Sequence, residues 1–205
     1  MTLGSDYFAG LYEADDDPWR LANRWYERRK YALTIAALPA QWYRNGLEIG
    51  CSVGVLTAAL ASRCERLLGV DIAQRAVDLA AERTRRFPGV RVERRTLPDE
   101  WPAGRFDLIV LSEVGYYLTA EDFDRLLDLA SVALEPEATL VAVHWRHPVA
   151  EYPRRGDEVH EGLARRAGEI GLVRTVAHEE LDFRLEIYLR TPPEPRSVAQ
   201  RTGLV

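Results

Sequence analysis

Two acidic residues stand where apolar runs give way to turns. Glu48 lies in Leu47-Glu48-Ile49, directly ahead of a turn bracketed by Gly50 and Gly54. Asp71 ends the apolar run Leu67-Leu68-Gly69-Val70, 17 residues after Gly54. Glycine has no Cβ, so the backbone reaches positive φ there and a ligand can lie against the loop, facing the free N–H groups of the helix that follows. A pyrophosphate-binding turn has the form G-x-G-x-x-G. Here the spacing is Glu48-x-Gly50-x-x-x-Gly54, with Ser52 where a middle glycine would stand. An acid before the first glycine repels phosphate and suits a cationic amino group. A carboxylate at the tip of the next strand is placed to accept both hydroxyl protons of a ribose. The pair therefore describes a site for a nucleoside that carries an amino acid, with Gly50, Cys51, Gly54 and Ile72 against it, rather than a dinucleotide site.

A second set of chemistry-bearing residues follows the clearest buried strand, Phe106-Asp107-Leu108-Ile109-Val110-Leu111. Ligands of open parallel sheets sit outside the carboxyl ends of the strands. Ser112 is thus expected beside the ligand, and Glu113 and Tyr116 or Tyr117 at a reacting centre. His144, at the end of the apolar run 138–143, joins them as a proton acceptor or as a structural hydrogen bonder. With His147 close by, a core position for it is not expected. The four histidines and two cysteines have no metal-ligand spacing, so no metal is expected. Cys51, inside the glycine turn, reads as a small packing residue and not a nucleophile.

The elements that must position these residues alternate between strand and helix. Strands are expected at 45–49, 67–71, 90–94, 105–111 and 138–143, with closing antiparallel stretches at 172–177 and 183–189. Helices fill 55–63, 73–86, 121–134 and 157–170. Ahead of them, Asp17 before Pro18 fits a helix start, and apolar residues recur at helical intervals from Trp19 to Leu38, where Pro39 stops the run. That arrangement is a Rossmann-like, seven-stranded, mostly parallel sheet with helices on both faces and an antiparallel last strand. Residues 1–190 form one domain and residues 191–205 a disordered tail. A chain of 205 residues, 47% hydrophobic and 29% charged, suits one soluble domain. The net charge is −5, and arginines are interspersed with acids, which disfavours a nucleic-acid partner. No apolar run approaches the ~20 residues of a membrane span, and no leader pattern is present, so a cytoplasmic location is expected. The sequence leaves the oligomeric state open.

The Glu48–Gly54 turn with Asp71 resembles the first motifs of class I S-adenosylmethionine-dependent methyltransferases, whose turn has the form E/D-x-G-x-G-x-G. Asp17-Pro18-Trp19, Trp25-Tyr26-Glu27-Arg28-Arg29-Lys30-Tyr31 and the stretch from Phe106 to Leu118 are similar to the NodS-like group, the nodulation-factor N-methyltransferases. The resemblance implies S-adenosylmethionine as methyl donor and S-adenosylhomocysteine as product. It places Trp19 near the cofactor and pairs Arg29, or Lys30, with the methionine carboxylate. It sets Thr96 and Leu97 at the adenine, although the class usually has an acid where this chain has Thr96. The implied acceptor is a small molecule bearing a free amino group, such as a de-N-acetylated amino sugar, contacted through Trp145, Tyr116, Asp157 and His160. An O-methyltransferase, or a binding module of the same fold without turnover, are the alternatives. An NAD-dependent oxidoreductase is disfavoured by Glu48 and the missing middle glycine.

Overall fold

The computed structural model of the chain describes residues 1–190 and 196–205. Seven strands form one sheet in the order β3-β2-β1-β4-β5-β7-β6. They are β1 (Tyr43–Ile49), β2 (Cys64–Asp71), β3 (Val90–Arg94), β4 (Phe106–Ser112), β5 (Leu134–Trp145), β6 (Leu172–Glu179) and β7 (Phe183–Arg190). The pairs among β1 to β5 are parallel, and β7 runs antiparallel to both β5 and β6. The helices are α1 (Ser5–Ala14), α2 (Trp25–Ala37), α3 (Val55–Leu60), α4 (Gln74–Thr84), α5 (Ala120–Ala133), α6 (Gly156–Ala167) and a short α7 (Val198–Arg201).

Strand β4 shows why the sheet needs helices on both faces. Its residues 108–111 are all buried, and successive side chains enter different cores. Ile109 and Leu111 pack with Phe123, Leu126 and Leu163 of α5 and α6. Leu108 and Val110 pack with Tyr31, Leu56 and Leu60 of α2 and α3. Each such aliphatic side chain contributes about 1.5–3 kcal/mol by leaving water. A smaller cluster joins Phe8 and Tyr12 of α1 to Val53, Ala73 and Ala76. The chain reverses direction across the sheet between β1 and β4, so a crevice opens outside their carboxyl ends.

The front of the chain departs from the sequence expectation of one helix over 18–38. Residues 18–23 are turns, and the helices lie on either side, at Ser5–Ala14 and Trp25–Ala37. Asp17 is the cause. Its carboxylate accepts the backbone N–H groups of Leu21 (2.9 Å) and Ala22 (3.0 Å), closing a compact turn in place of a helix, with Arg20 at φ 59°. Strand β5 also begins at Leu134, four residues earlier than the apolar run suggested, with an irregularity in its pairing with β4 between Leu134 and Thr139. Of the expected tail, residues 191–195 lie outside the described residues. Residues 198–201 form a helical turn capped by Ser197 and Gln200.

Candidate active site

The turn after β1 is fastened to β2 before any side chain is considered. The N–H groups of Gly50 (2.8 Å) and Cys51 (3.0 Å) both donate to the Val70 carbonyl. Gly50 has φ 75°, and a Cβ on it would come within 2.2 Å of Val114 Cγ2, so no other residue fits there. Ser52 takes a left-handed φ of 46° despite its side chain. Two bonds hold it there: its N–H donates to Asp71 Oδ2 (2.9 Å), and its hydroxyl shares a hydrogen bond with the Tyr12 hydroxyl (2.6 Å). The middle-glycine position of the motif thus demands the conformation that glycine favours, and serine adopts it here. Gly54, at φ 76°, caps α3 with its Cα side against Ala80, behind the turn.

The two acids predicted from spacing open into one cavity of about 610 Å³. Glu48 is 2% exposed, and its Oε2 has no hydrogen-bond partner among the described residues. Burial raises its pKa to about 8; the Thr57 hydroxyl opposes the rise and the Asp71 charge adds to it. Asp71 Oδ1 accepts the Ala73 N–H at 3.0 Å and Oδ2 the Ser52 N–H. Burial lifts its pKa, and these backbone donors oppose the rise. The cavity wall is mostly apolar. Cys51, Ile72 and Leu97 line it on one side, and Trp19, which meets Tyr12 edge-on at 5.8 Å, lines it from the front. Burial raises the Cys51 thiol pKa well above its usual value, so it is a packing group and no thiolate. Among the described residues no cluster of His, Cys, Asp and Glu has the makings of a metal site.

Ser112, Glu113 and Tyr116 line the far end of the same cavity. Glu113 sits at φ 59° and is fully engaged. Its Oε1 accepts from the Lys30 ammonium, and its Oε2 accepts from the Tyr116 hydroxyl (2.6 Å) and the Trp145 N–H (2.9 Å). Lys30 is 2% exposed, with Nζ also 2.8 Å from Glu27 Oε2. Burial alone would pull its pKa down, but Glu113 and Glu27 outweigh burial and keep it cationic. Reasoning from the sequence underrated this lysine. A signal existed: it is the sole lysine among 27 basic residues.

Four expected site residues lie elsewhere, and the first is Gly54, which sits behind the turn and is not part of the cavity wall. Arg29 faces away and makes a two-pronged pair with Glu180, Nη1 to Oε2 at 2.6 Å and Nη2 to Oε1 at 2.7 Å. On α2, Lys30 is the residue turned inward and Arg29 its outward neighbour, so the methionine-carboxylate role read for Arg29 has no support in the geometry. Thr96 is not part of the cavity wall; its N–H is taken by Glu100 Oε2 (2.6 Å), and only Leu97 reaches the cavity. His144 is fully buried behind the wall, although a core position was not expected for it. Its ring nitrogens meet the Gly115 N–H (3.1 Å) and His160 (3.2 Å). Burial, then His160, holds its pKa well below the ordinary histidine value, and it has no path to a substrate proton. His160 is equally buried, and Asp157 is tied to Arg146, so the sugar contacts read for both fall away as well.

Residues 11–149 match the family described as Nodulation protein S (NodS). The chain belongs to the NodS family. Nodulation protein S of Rhizobium tropici is 36% identical over 106 residues, which is 51% of this chain and 44% of that protein. The chain spans about half the length of the curated NodS relatives it matches. The crystal structure of N-methyltransferase NodS from Bradyrhizobium japonicum WM9, in complex with S-adenosyl-L-homocysteine, superposes with a TM-score of 0.77 at 27% identity, over 94% of this chain and 100% of that one. A candidate methyltransferase from Pseudomonas syringae is 47% identical with a TM-score of 0.72, over 82% of this chain and 100% of that one. In this NodS-family chain the matched segment runs from α1 to just past β5 and contains the glycine turn, Asp71, Lys30 and Glu113.

Proposed function

We propose that the chain is an S-adenosylmethionine-dependent N-methyltransferase acting on an amino group of a small polar acceptor, such as a de-N-acetylated amino sugar. The observation that carries this reading is that Glu48, buried and with no ion-pair partner among the described residues, lines the same apolar cavity as Asp71. A lone buried carboxylate asks for a cationic hydrogen-bond donor, and the ammonium of a methionine moiety is one. Asp71, already oriented by two backbone N–H groups, keeps lone pairs for the two ribose hydroxyls. Leu97 and Ile72 offer apolar surface to a flat base, and Trp19 an aromatic face to a sulfonium. The matched NodS structure, whose partner is S-adenosyl-L-homocysteine, supports the same choice of ligand.

When bound, S-adenosylmethionine supplies an electrophilic methyl group for in-line displacement. What the protein contributes at the reacting end is position and charge. Glu113 and Glu27 flank the Lys30 ammonium, and Glu113, held by Lys30, Tyr116 and Trp145, fixes the geometry of that end. The reacting form of the acceptor is the neutral amine, which carries the nucleophilic lone pair. The aromatic rings of Tyr116, Tyr117 and Tyr152, packed 4.7 to 5.0 Å apart, exclude water from the region.

The test is calorimetric titration with S-adenosylhomocysteine and with NAD, followed by incubation of labelled S-adenosylmethionine with a panel of amino sugars, simple amines and hydroxylated analogues. The expected result is binding of the first ligand alone, lost on Asp71→Ala, with label transferred to nitrogen. Binding without transfer to any acceptor would leave only a cofactor-binding module, and NAD binding at the same site would overturn the reading altogether.

A further inference from the structure

Behind the cavity wall a single hydrogen-bonded chain crosses the molecule. The Gly115 N–H donates to His144 Nε2 at 3.1 Å, His144 Nδ1 meets His160 Nε2 at 3.2 Å, and His160 Nδ1 meets Glu186 Oε2 at 2.9 Å. These side chains come from β5, α6 and β7 and are 0 to 1% exposed. The two ends fix every proton between them. A backbone amide can only donate, so His144 Nε2 carries a lone pair and its proton is on Nδ1. That proton points at His160 Nε2, so the His160 proton is also on Nδ1 and goes to the carboxylate. Glu186 is in turn anchored by Arg174 (2.7 Å) and Arg184 (3.1 Å) on Oε1 and by the Tyr188 hydroxyl (2.9 Å) on Oε2.

We propose that His144 and His160 are positioning residues that act as one unit, tying the Gly115 amide to Glu186 in a single Nδ1–H tautomer and so fixing loop 113–117 at the reacting end of the cavity. The loop needs such a hold. Glu113 is in a left-handed conformation, and Gly115 is pressed so closely on its surroundings that a Cβ would lie 2.4 Å from Val159 Cγ1 and 3.0 Å from His144 Nε2. The loop also sets the Tyr116 hydroxyl on Glu113 and Glu113 on Lys30. A proton added to His160 would demand a lone pair from His144 Nδ1, move the His144 proton to Nε2, and set it against the Gly115 N–H. Protonation and the observed loop are therefore mutually exclusive. The charged and titratable groups around the pair are Lys30 from α2, Arg154 ahead of α6, Glu186, Glu113 one hydrogen bond away through Trp145, and the Tyr116 ring at 5.5 Å from His144.

This inference rests on the methyltransferase reading for its kinetic consequence but has a readout of its own. Histidine-labelled ¹⁵N spectra of the wild-type chain are expected to show both rings as the Nδ1–H tautomer, the one the hydrogen bonds require. Either ring as the Nε2–H tautomer overturns the proposal. In His160→Leu the Gly115 amide is expected to exchange faster, and kcat to fall on the order of a hundredfold, the size of effect a small misplacement produces. S-adenosylhomocysteine affinity is expected to stay within about twofold, since the glycine turn and Asp71 are untouched. His160→Gln, whose amide can accept from His144 and donate to Glu186, is expected to restore most of kcat. A kcat loss matched by an equal loss of ligand affinity, or no rescue by glutamine, would make the chain merely structural. Absence of any methyl transfer by the wild type sinks the functional reading, while the spectra still decide the tautomer and the tie to Gly115.

Discussion

Glu48 carries the sharpest consequence at the scale of single residues. With a pKa near 8 it is protonated in the empty cavity at neutral pH, whereas a cationic amino-acid end binds its ionised form. Below pH 8, ligand binding should therefore expel a proton, and affinity should weaken as pH falls, by at most about tenfold per unit. Calorimetry of S-adenosylhomocysteine binding in buffers of different ionisation enthalpy measures this directly. Glu48→Gln should abolish the proton release and weaken binding by about 1.5–3 kcal/mol, the worth of a charged hydrogen bond. If the wild type takes up no buffer-dependent heat, Glu48 is not the group that meets the ammonium. This residue and Asp71 were legible in the sequence because each acid ends an apolar strand at a fixed distance from a glycine turn. Lys30 and Arg29 were not separable, because neighbours on a helix differ by about 100° in direction and a tandem basic stretch does not say which one turns inward. The burial of His144 was misread for a related reason, although its alternative role as a structural hydrogen bonder fits: polar type and position at a strand tip say nothing of a buried partner on α6.

Among the elements around the site, α1 is the one the sequence did not reveal, and it lines the cavity. It is held at both ends, by the Tyr12–Ser52 hydroxyl bond (2.6 Å) and by the Leu3 N–H on the Tyr117 carbonyl (2.9 Å), so it bridges the glycine turn and the loop at the reacting end. Phe8 and Tyr12 face the cavity from it. A ligand leaving this site has to displace α1 or pass its edge. Tyr12→Phe, which removes one hydrogen bond and no bulk, should cost about 1 kcal/mol of ligand affinity, roughly fivefold, expressed mainly as faster dissociation. Stopped-flow displacement of bound S-adenosylhomocysteine reads that rate, and an unchanged rate would mean α1 is not a gate. Adding Ser52→Gly should cost nothing further, since the two hydroxyls share one bond; full additivity of the two changes would show that they act independently. The sequence concealed α1 for a physical reason. Its buried residues, Phe8 and Tyr12, are few, and the Asp17 turn that separates α1 from α2 carries the same Asp-Pro signature that elsewhere begins a helix. The β-α alternation from β1 to β5 was legible, because buried parallel strands read as continuous apolar runs between amphipathic helices.

At the scale of the whole molecule, two carboxylates have pKa values pulled down to about 2 and should contribute very differently. Glu180 owes its low value first to Arg29, but that pair lies at the surface, with side chains 21% and 42% exposed, where water and salt screen it. Glu186 is 1% exposed; burial opposes its ionisation, and His160, Tyr188 and Arg184 overcome that opposition. Because those partners come from α6 and β7, and Arg174 from β6, one carboxylate joins the last two strands to the helix that packs on them. A depressed carboxylate pKa gives stability that is complete above the unfolded value of about 4.5 and disappears as pH falls toward 2. Denaturant unfolding of the wild type should therefore lose on the order of 3 kcal/mol across that interval from this residue alone, since each pH unit between the unfolded and folded values is worth about 1.4 kcal/mol. Glu186→Gln should be less stable by a comparable amount at pH 7 and show a flatter acid limb, whereas Glu180→Gln should change stability by less than about 1 kcal/mol and leave the limb unaltered. The opposite ranking would place the electrostatic cross-link of the fold at its surface. It would also remove the anchor on which the two buried histidines and, through Gly115, the reacting loop depend.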